Sequence, residues 1–358
     1  MADAILDRPR TARPPGEPLL EVRGGAVLFD VSRGLRARLR RAAREHLHAV
    51  DGVDLQVFPG EALGLVGESG SGKSTLARAI VGLEPLTAGE IRYEGRPMPA
   101  KRKRSERRRI QMVFQDPYSS LNPKMTVRQT LRELLRVHDV VPPDRVDARC
   151  RELLDLVGLQ PSALGAYPRQ FSGGQRQRVA IARALALQPE LLVADEPISA
   201  LDVSVQATIL NLLDQLRGEL GLTLLFIAHN LAVVRHLCDR VAVMYLGRIV
   251  EVAPTDELFA NPRHPYTQGL LRAIPRLAPG RVSEAVAVQG DPPSPLHVPS
   301  GCRFHPRCPL AQPVCSLDDP TLAAGPASPG HTAACHFAWT AAPPAHHTEV
   351  ETAEGSET

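Results

Sequence analysis

The sequence predicts an α/β fold built around a phosphate-binding loop, and two observations support this. Residues 67–74 have the sequence Gly-Glu-Ser-Gly-Ser-Gly-Lys-Ser, which fits the P-loop pattern G-x-x-x-x-G-K-[ST]. An apolar run at 62–66 predicts a buried strand before the loop, and residues 75–80 predict a helix after it. Further apolar runs that end in polar residues predict more buried strands, and helical patterns separate them.

The residues of the P-loop predict a nucleotide site. Glycines let successive backbone N–H groups turn toward an anion, and the start of the following helix adds a partial positive charge. Lys73 is expected to reach the β- and γ-phosphates, and Ser74 to offer its hydroxyl to Mg²⁺. A simple glycine turn is the alternative, and the Lys-Ser pair disfavours it. The predicted nucleotide-binding residues here are Gly67, Glu68, Ser69, Gly70, Ser71, Gly72, Lys73, Ser74 and Thr75.

The length and charge of the chain limit the number of domains and the kinds of partner that it can have. A chain of 358 residues suggests two domains, or one large domain with an appendage. The net charge of +3 does not imply a polyanionic partner. No apolar stretch approaches the roughly 20 residues that span a membrane, and the N-terminus lacks the pattern of a signal peptide. We therefore expect a cytoplasmic protein, with disordered tails at residues 1–18 and 339–358.

The segment before the P-loop holds a candidate for adenine binding. Residues 20–31 turn apolar and predict an edge strand or hairpin. ATPases with this layout often stack the adenine ring on an aromatic residue upstream of the P-loop, and Phe29 is placed to do so. A core phenylalanine is an equally good interpretation of the same residue.

Each of two basic runs could be either a solvated surface segment or a binding surface. Residues 33–44 could form a basic amphipathic segment near a membrane surface, but a solvated insertion is the favoured interpretation. Residues 101–109 could contact nucleic acid, yet no aromatic residues interleave with them to stack on bases. We expect them to form a solvated helical face.

The middle of the chain predicts a strand followed by a helical insertion. The apolar run 110–114 ends at Gln115, whose amide at a strand end could contact Mg²⁺ and an attacking water. Amphipathic patterns at 127–137 and 146–157 predict helices. They belong to a predicted helical subdomain, at about 116–190, between two halves of the nucleotide core.

A second anion site and a pair of acids follow. Ser172, Gly173, Gly174 and Gln175 precede a helical pattern, and Ser172 is a good helix N-cap, so the small residues there predict an anion site.

The strand predicted at 191–194 ends in Asp195 and Glu196, which matches a Walker B motif. Asp195 would hold the Mg²⁺ shell, and Glu196 would act as general base for water. Paired acids can also merely cap the next helix, but the P-loop upstream favours the catalytic interpretation.

His229 completes the candidate catalytic set. It follows the buried strand predicted at 223–227, at the end where ligands bind in α/β proteins. The final strands of the core are predicted at 240–245 and 248–252.

Taken in order, these motifs resemble the ATP-binding subunits of ABC transporters, over about residues 20–338. The matching elements are the P-loop at 67–74, Gln115, the signature motif at 172–175, the Walker B motif with Glu196, the loop at 199–202 and His229. Phe171 departs from the family, in which the signature often begins with Leu. The resemblance implies a P-loop ABC ATPase core with a mixed β-sheet and flanking helices, at 19–260, an antiparallel β-subdomain, an inserted α-helical subdomain and a small Cys-containing C-terminal region at 261–338.

Three further segments resemble one branch of that family. Residues 115–123, 261–267 and 301–309 are similar to motifs of oligopeptide/dipeptide importer ATPases, and specifically to the second, F-type ATPase of such importers. Members import di- or oligopeptides, and some import nickel or glutathione.

The resemblance also implies partners. Family members work as head-to-tail ATPase pairs, so Ser172, Gly173, Gly174 and Gln175 would bind ATP held by a partner. A second ABC ATPase, two membrane permeases and, through them, an extracytoplasmic substrate-binding protein are expected, with this chain peripheral on the cytoplasmic face of the membrane and no nucleic acid partner.

Two other function classes fit the sequence less well. A soluble ABC ATPase acting on nucleic acid or ribosomes usually has two cassettes or a long coiled-coil insertion, and this chain has one P-loop and one signature. A regulatory nucleotide-binding module without hydrolysis is disfavoured because Glu196 and His229 are both present.

Four cysteines near the C-terminus suggest a metal. Cys302, Cys308, Cys315 and Cys335 have neither zinc-ribbon nor ferredoxin spacing. In a reducing compartment a cysteine cluster favours metal over disulfide. Some members of the resembled family carry a [4Fe–4S] cluster on this pattern. We therefore expect an iron–sulfur cluster first, structural zinc with help from His305 or His336 second, and unligated thiols third.

Overall fold

The computed structural model describes residues 16–31, 45–116, 120–274, 290–326 and 328–339. The predictions for residues 1–15, for the basic run at 33–44 and for the tail from residue 340 lie outside these residues. So does part of the motif at 115–123, because residues 117–119 are not described.

The described residues form strands and helices with the following bounds. The strands are β1 (Leu20–Asp30), β2 (His46–Val57), β3 (Ala62–Val66), β4 (Ala88–Tyr93), β5 (Arg96–Pro97), β6 (Ile110–Val113), β7 (Leu191–Asp195), β8 (Thr223–Ala228), β9 (Arg240–Tyr245), β10 (Arg248–Pro254), β11 (Ala323–Gly325) and β12 (Ser328–Ala333). The helices are α1 (Lys73–Val81), α2 (Arg104–Arg109), α3 (Val127–Val137), α4 (Val146–Leu156), α5 (Gly173–Leu185), α6 (Val203–Leu220), α7 (Leu231–Leu237), α8 (Thr255–Ala260), α9 (Pro265–Arg272) and α10 (Pro313–Leu317).

The larger sheet carries the candidate site. Its strand order is β11-β12-β10-β9-β3-β8-β7-β6, and the pairs from β9 across to β6 are parallel. Every residue of β3, β7 and β8 is buried, as expected for parallel strands covered on both faces, and this explains their continuous apolar runs. Because these strands run in one direction, the segments after β3, β6, β7 and β8 meet at one edge.

A smaller antiparallel sheet lies at the N-terminal side of the core. Its strand order is β2-β1-β4-β5. The pairing of β1 with β2 begins with Leu20 opposite Val57 and ends with Asp30 opposite His46. β2 therefore begins at His46, ahead of its first buried residues, Ala49 and Val50. The early part of β2 is polar, and it is a strand because β1 supplies its backbone partners, which no local pattern can show.

The helical insertion packs through its apolar positions. Leu131, Leu135 and Leu153 of α3 and α4 are fully buried and belong to the same core cluster as residues of α5. Thr126 caps α3, since its hydroxyl accepts from the Gln129 amide at 3.3 Å. The helices predicted here are confirmed to within one residue.

The basic run at 101–109 is mostly the solvated face that its composition predicts. No residue of α2 is buried. Arg102, just before it, departs from the prediction because it is 6% exposed and donates to the carbonyl of Ala79 at 3.2 Å. It satisfies a carbonyl in the last turn of α1, a position where cations are favoured.

The C-terminal region extends the larger sheet. β12 pairs antiparallel with β10, and β11 pairs with β12. Behind them the rings of Tyr245, Tyr266 and Phe304 form a buried cluster with centroids 4.7–5.5 Å apart. Among the described residues, no helix is both long and apolar enough to cross a bilayer.

The predicted fold class is confirmed. The chain has a mixed α/β core, an antiparallel β-sheet at its N-terminal side and an inserted group of helices. Cys150 and Cys238 are buried in the core.

Candidate nucleotide site

The P-loop connects β3 to α1, and its glycines are required by close backbone contacts. A Cβ atom on Gly72 would lie 2.1 Å from the carbonyl oxygen of Ala49, and Gly72 also has a φ of 105°. A Cβ atom on Gly67 would lie 2.1 Å from the carbonyl oxygen of Met244. Only glycine lets the loop pass between β2 and β9 at these distances.

Lys73 is buried within this loop. It is 4% exposed, and its Nζ donates to the carbonyls of Gly67 and Glu68, both at 2.8 Å. Burial lowers the pKa of Lys73, although the charges of Glu196, Asp195 and Glu68 oppose this. A phosphate oxygen is a stronger partner for an ammonium than a neutral carbonyl, so the site favours an anion here.

Ser74 and Asp195 form a corner suited to a divalent cation. The Ser74 hydroxyl donates to the Asp195 carboxylate at 2.9 Å. Asp195 is 2% exposed, and burial raises its pKa, while the Ser74 bond partly offsets this. A buried carboxylate beside a hydroxyl supplies the oxygen ligands that Mg²⁺ prefers, and a cation there would favour the charged form of the acid.

Glu196 lies among the other candidate catalytic residues, at the ends of three neighbouring strands. The Gln115 side-chain amide donates to its carboxylate at 2.9 Å, and the Nδ1 of His229 lies 3.7 Å from the same carboxylate oxygen. Glu196 has a φ of 45°, which is uncommon for a residue with a side chain and costs backbone energy. The arrangement presents a carboxylate and an imidazole side by side at the open edge of the sheet.

The signature segment lies at the start of α5. The Ser172 hydroxyl accepts from the Gln175 amide at 3.3 Å, and the Gln175 side chain accepts from the Ser172 amide at 3.0 Å. Both side chains are exposed. Gly174 packs on Val205, whose Cγ1 would lie 2.5 Å from a Cβ atom at this position. The helix start is thus held against the first turn of α6 and open to solvent.

Phe29 lies on the hairpin that borders the P-loop. It pairs with Leu47, and two residues later on β2 the carbonyl of Ala49 contacts Gly72. Its side chain is 38% exposed, so it is not a core residue. Stacking on adenine stays a prediction for it.

Two residues of the C-terminal region contact the P-loop, and the sequence interpretation missed their role. The Tyr266 hydroxyl accepts from the Glu68 amide at 2.8 Å. Arg307 donates twice to the Glu68 carboxylate, at 2.8 and 3.0 Å. Both residues occur in the motifs that carried the family resemblance, but nothing in their local sequence indicates a partner about 200 residues earlier in the chain.

The iron–sulfur prediction for the cysteines is wrong. Cys302, Cys308, Cys315 and Cys335 line one small cavity together with His305 and His336, and none forms a disulfide. Among the residues that the structure describes, no group of three or more His, Cys, Asp or Glu could hold a metal ion. The zinc alternative has no support either.

The four thiols lie in a largely apolar environment. Burial raises the pKa of Cys302 and of Cys308 to about 11. Spacing alone gave the number of thiols, but not their geometry or charge.

Comparisons with known protein families agree with this geometry. Residues 50–199 match the family described as "ABC transporter", and residues 250–315 match "Oligopeptide/dipeptide transporter, C-terminal region".

The chain is 46% identical to the oligopeptide transport ATP-binding protein AppF of Bacillus subtilis over 327 residues, which cover 90% of this chain and 98% of that protein. It is 48% identical to the oligopeptide transport ATP-binding protein OppF of Salmonella typhimurium over 310 residues, which cover 85% and 92%.

Solved structures show the same fold. CbiO1 from Clostridium perfringens, part of the ABC transporter complex cbiONQ, matches with a TM-score of 0.58 and 29% identity, covering 68% of this chain and 91% of that one. The cassette MJ0796, in a dimeric post-hydrolysis state bound to ADP and Pi, matches with a TM-score of 0.57 and 28% identity, covering 66% and 98%.

Proposed function

The chain belongs to the family of ABC-transporter ATP-binding proteins, and from this premise we propose that it hydrolyses ATP to drive import of di- or oligopeptides through a membrane transporter. A related small solute, such as nickel or glutathione, is included in the proposal. The observation that carries it is the meeting of the P-loop, Asp195, Glu196 and His229 at one sheet edge, in a chain whose C-terminal region matches the oligopeptide/dipeptide family.

Binding of ATP is the first step. The P-loop amides and the start of α1 would surround the phosphates, and Lys73 would exchange its carbonyl partners for phosphate oxygens. Phe29 would stack on the adenine. Ser74, Asp195 and Gln115 would hold Mg²⁺, which supplies positive charge against the phosphate oxygens when bound.

Hydrolysis is assigned to the residues after β7 and β8. The Glu196 carboxylate would accept the proton of the water that attacks the γ-phosphate. His229, whose imidazole lies beside that carboxylate, would hydrogen-bond the γ-phosphate and position the water. Gln115, by donating to Glu196, would keep the carboxylate oriented and respond to closure of the site.

A second ATPase subunit would complete each site. The exposed Ser172 and the small residues after it would bind the γ-phosphate of ATP held on the partner's P-loop. The dimeric state of the similar cassette MJ0796 supports such pairing. We propose a heterodimer, because the resembled importers carry two ATPases. This heterodimer would act on two permeases and, through them, on an extracytoplasmic binding protein.

The proposed division of the chain follows from these roles. Residues 19–260 would form the ATPase domain, with about 116–190 as the helical part that contacts the permeases. Residues 261–338 would form the oligopeptide-transporter-type C-terminal region. The protein would lie at the cytoplasmic face of the membrane as a peripheral subunit.

Co-expression with two permeases and a second ATPase tests the proposal. We expect all four subunits to purify together through a tag on this chain, and the complex to hydrolyse MgATP much faster than the chain alone. A strictly monomeric chain with full activity would contradict the pairing. Salt-sensitive nucleic acid binding without such partners would favour the soluble alternative, which none of the relatives named above supports.

A further inference from the structure

The acidic side chain inside the P-loop is neutralised from outside the ATPase core. Arg307 makes two hydrogen bonds to the Glu68 carboxylate, and its own side chain is only 6% exposed. This bidentate contact raises the pKa of Arg307, against the effect of burial. The Glu68 carboxylate, 26% exposed, is therefore held by a partner that stays charged.

The backbone of Glu68 is held from the same side. Its amide donates to the hydroxyl of Tyr266 at 2.8 Å, and Tyr266 is fully buried. The Tyr266 ring packs on Tyr245 and Phe304, and the Arg307 guanidinium lies 5.8 Å from the centre of the Tyr245 ring. Glu68 is thus held at its backbone by Tyr266 and at its side chain by Arg307.

A second route joins the C-terminal region to the other half of the loop. Arg303 donates to the carbonyl of Leu246 and to the carboxylate of Asp51. Gly247, which follows Leu246 in the chain, donates its amide to the carbonyl of Ser71 at 2.8 Å. The Gly247 carbonyl accepts from the Asp51 amide at 2.9 Å. Glu68 and Ser71 are therefore both positioned through residues of one short segment, 303–307.

The contact between Arg307 and Glu68 has the larger expected effect on nucleotide binding, because it pairs a charge. A carboxylate in a phosphate-binding loop repels the triphosphate unless it is paired and turned away. The guanidinium of Arg307 does both, because its fork geometry fixes the direction of the carboxylate as well as its charge. Without Arg307, Glu68 would be free to turn toward the phosphates.

We propose that Arg307 and Tyr266 are positioning residues that hold the P-loop in its phosphate-binding shape, so that the C-terminal region sets the affinity of this chain for MgATP. The proposal rests on the ATPase function proposed above. It assigns to the C-terminal region a role in nucleotide binding, through contacts with Glu68 and without any contact to the nucleotide itself.

A double-mutant cycle tests it on the purified full chain, with the dissociation constant of MgATP measured by titration calorimetry. We expect Arg307→Gln to weaken MgATP binding about tenfold, since it leaves an unpaired carboxylate beside the phosphates. Glu68→Gln removes the carboxylate that Arg307 pairs, and its affinity is the reference for the double variant. The double variant Arg307→Gln/Glu68→Gln should recover most of the loss, because no unpaired charge remains.

Arg263→Gln is the matched control. It removes a charge from the same region, where the Arg263 guanidinium lies 5.1 Å from the centre of the Trp339 ring, away from the P-loop contacts. We expect its MgATP affinity to equal that of wild type. A loss of affinity in Arg263→Gln as large as in Arg307→Gln would overturn the proposal.

Other outcomes are equally decisive. Equal affinities for wild type and Arg307→Gln, or a double variant no better than Arg307→Gln, would overturn it. If Arg307→Gln does not fold, Tyr266→Phe keeps the ring packing and removes only the hydroxyl, and unchanged affinity there would overturn the proposal. A wild-type chain that fails to bind MgATP would instead contradict the proposed ATPase function.

Discussion

The nucleotide edge and the C-terminal region use polar residues in opposite ways. At the edge, Glu196 and His229 lie partly open to solvent, in pairs that a substrate could enter. Where β10 contacts the C-terminal region, the Glu251 carboxylate is fully buried and has three partners, the amides of Arg263 and His264, at 2.6 and 3.0 Å, and the Nε2 of His331, at 2.7 Å.

The difference separates chemistry from stability. A buried carboxylate destabilises the fold unless its hydrogen bonds are satisfied, and Glu251 fulfils this while joining β10, the segment before α9 and β12. Glu196 instead keeps an accessible carboxylate and a strained backbone, which is typical of residues retained for function. Substitutions at the edge should therefore change turnover, and those around Glu251 should change stability.

The largest expected effect is on turnover. Glu196→Gln should lower ATP hydrolysis by the assembled complex by roughly 10²–10⁴-fold, because the amide cannot accept the proton of the attacking water. MgATP binding and the melting temperature should remain near those of wild type. Phosphate release by the complex measures hydrolysis, and calorimetric titration of the chain measures MgATP binding. Normal hydrolysis by this variant would remove Glu196 from the role of base.

The next effect is a loss of stability at acid pH. Burial lowers the pKa of His264 to about 4, and its neutral Nδ1 accepts from the Tyr266 amide at the start of α9, at 3.1 Å. The unfolded chain binds this proton near pH 6.5, but the folded chain only near pH 4. Stability should therefore fall as the pH drops through this window, by about 3 kcal/mol from this residue.

A matched variant isolates that contribution. His264→Asn keeps an acceptor at the cap and cannot titrate, so it should lose less stability than wild type between pH 7 and pH 4.5. Urea unfolding at the two pH values measures the difference. Identical pH dependence in the two proteins would show that His264 already binds its proton in the folded state.

Ser172 has both a stabilising and a functional role, since it caps α5 and is also the proposed contact to a partner's ATP. Ser172→Ala should cost about 1 kcal/mol of stability and also lower hydrolysis by the pair, without changing MgATP binding by the isolated chain. Ser172→Asn keeps the cap and replaces the hydroxyl. If its hydrolysis rate equals that of wild type, the hydroxyl has no role at the partner's site.

The smallest effect is expected at a surface ion pair. Asp147 lies 3.4 Å from Arg128 and 3.6 Å from Arg132, and all three side chains are about 33–43% exposed. Asp147→Asn should change stability by less than about 1 kcal/mol and leave hydrolysis unchanged. It gives the baseline for the other variants, and a larger change would mean that charge on the helical insertion matters more than its exposure indicates.

Much of the site was predictable because its residues directly follow strands that the sequence pattern predicts. The P-loop, Asp195 with Glu196, Gln115 and His229 each follow an apolar strand, and parallel strands bring such segments to one edge whatever the rest of the chain does. The start of β2 and the burial of Arg102 were not predictable, because each depends on a partner from another element.

The cysteines show the limit of spacing as an argument. Four thiols in a short segment predicted a metal, and the structure has them around one cavity without a group that could hold an ion among the described residues. Whether thiols meet in a geometry that could hold an ion depends on the folded chain and not on their spacing in the sequence.

By itself, the sequence determined the fold class, the P-loop and the order of the catalytic motifs, because these depend on residues that are neighbours in the chain. Only the tertiary structure decided that Tyr266 and Arg307 hold Glu68, across 198 and 239 residues. The physical reason is that a hydrogen bond depends on distance in space. A motif records which groups are available, and folding decides which of them meet.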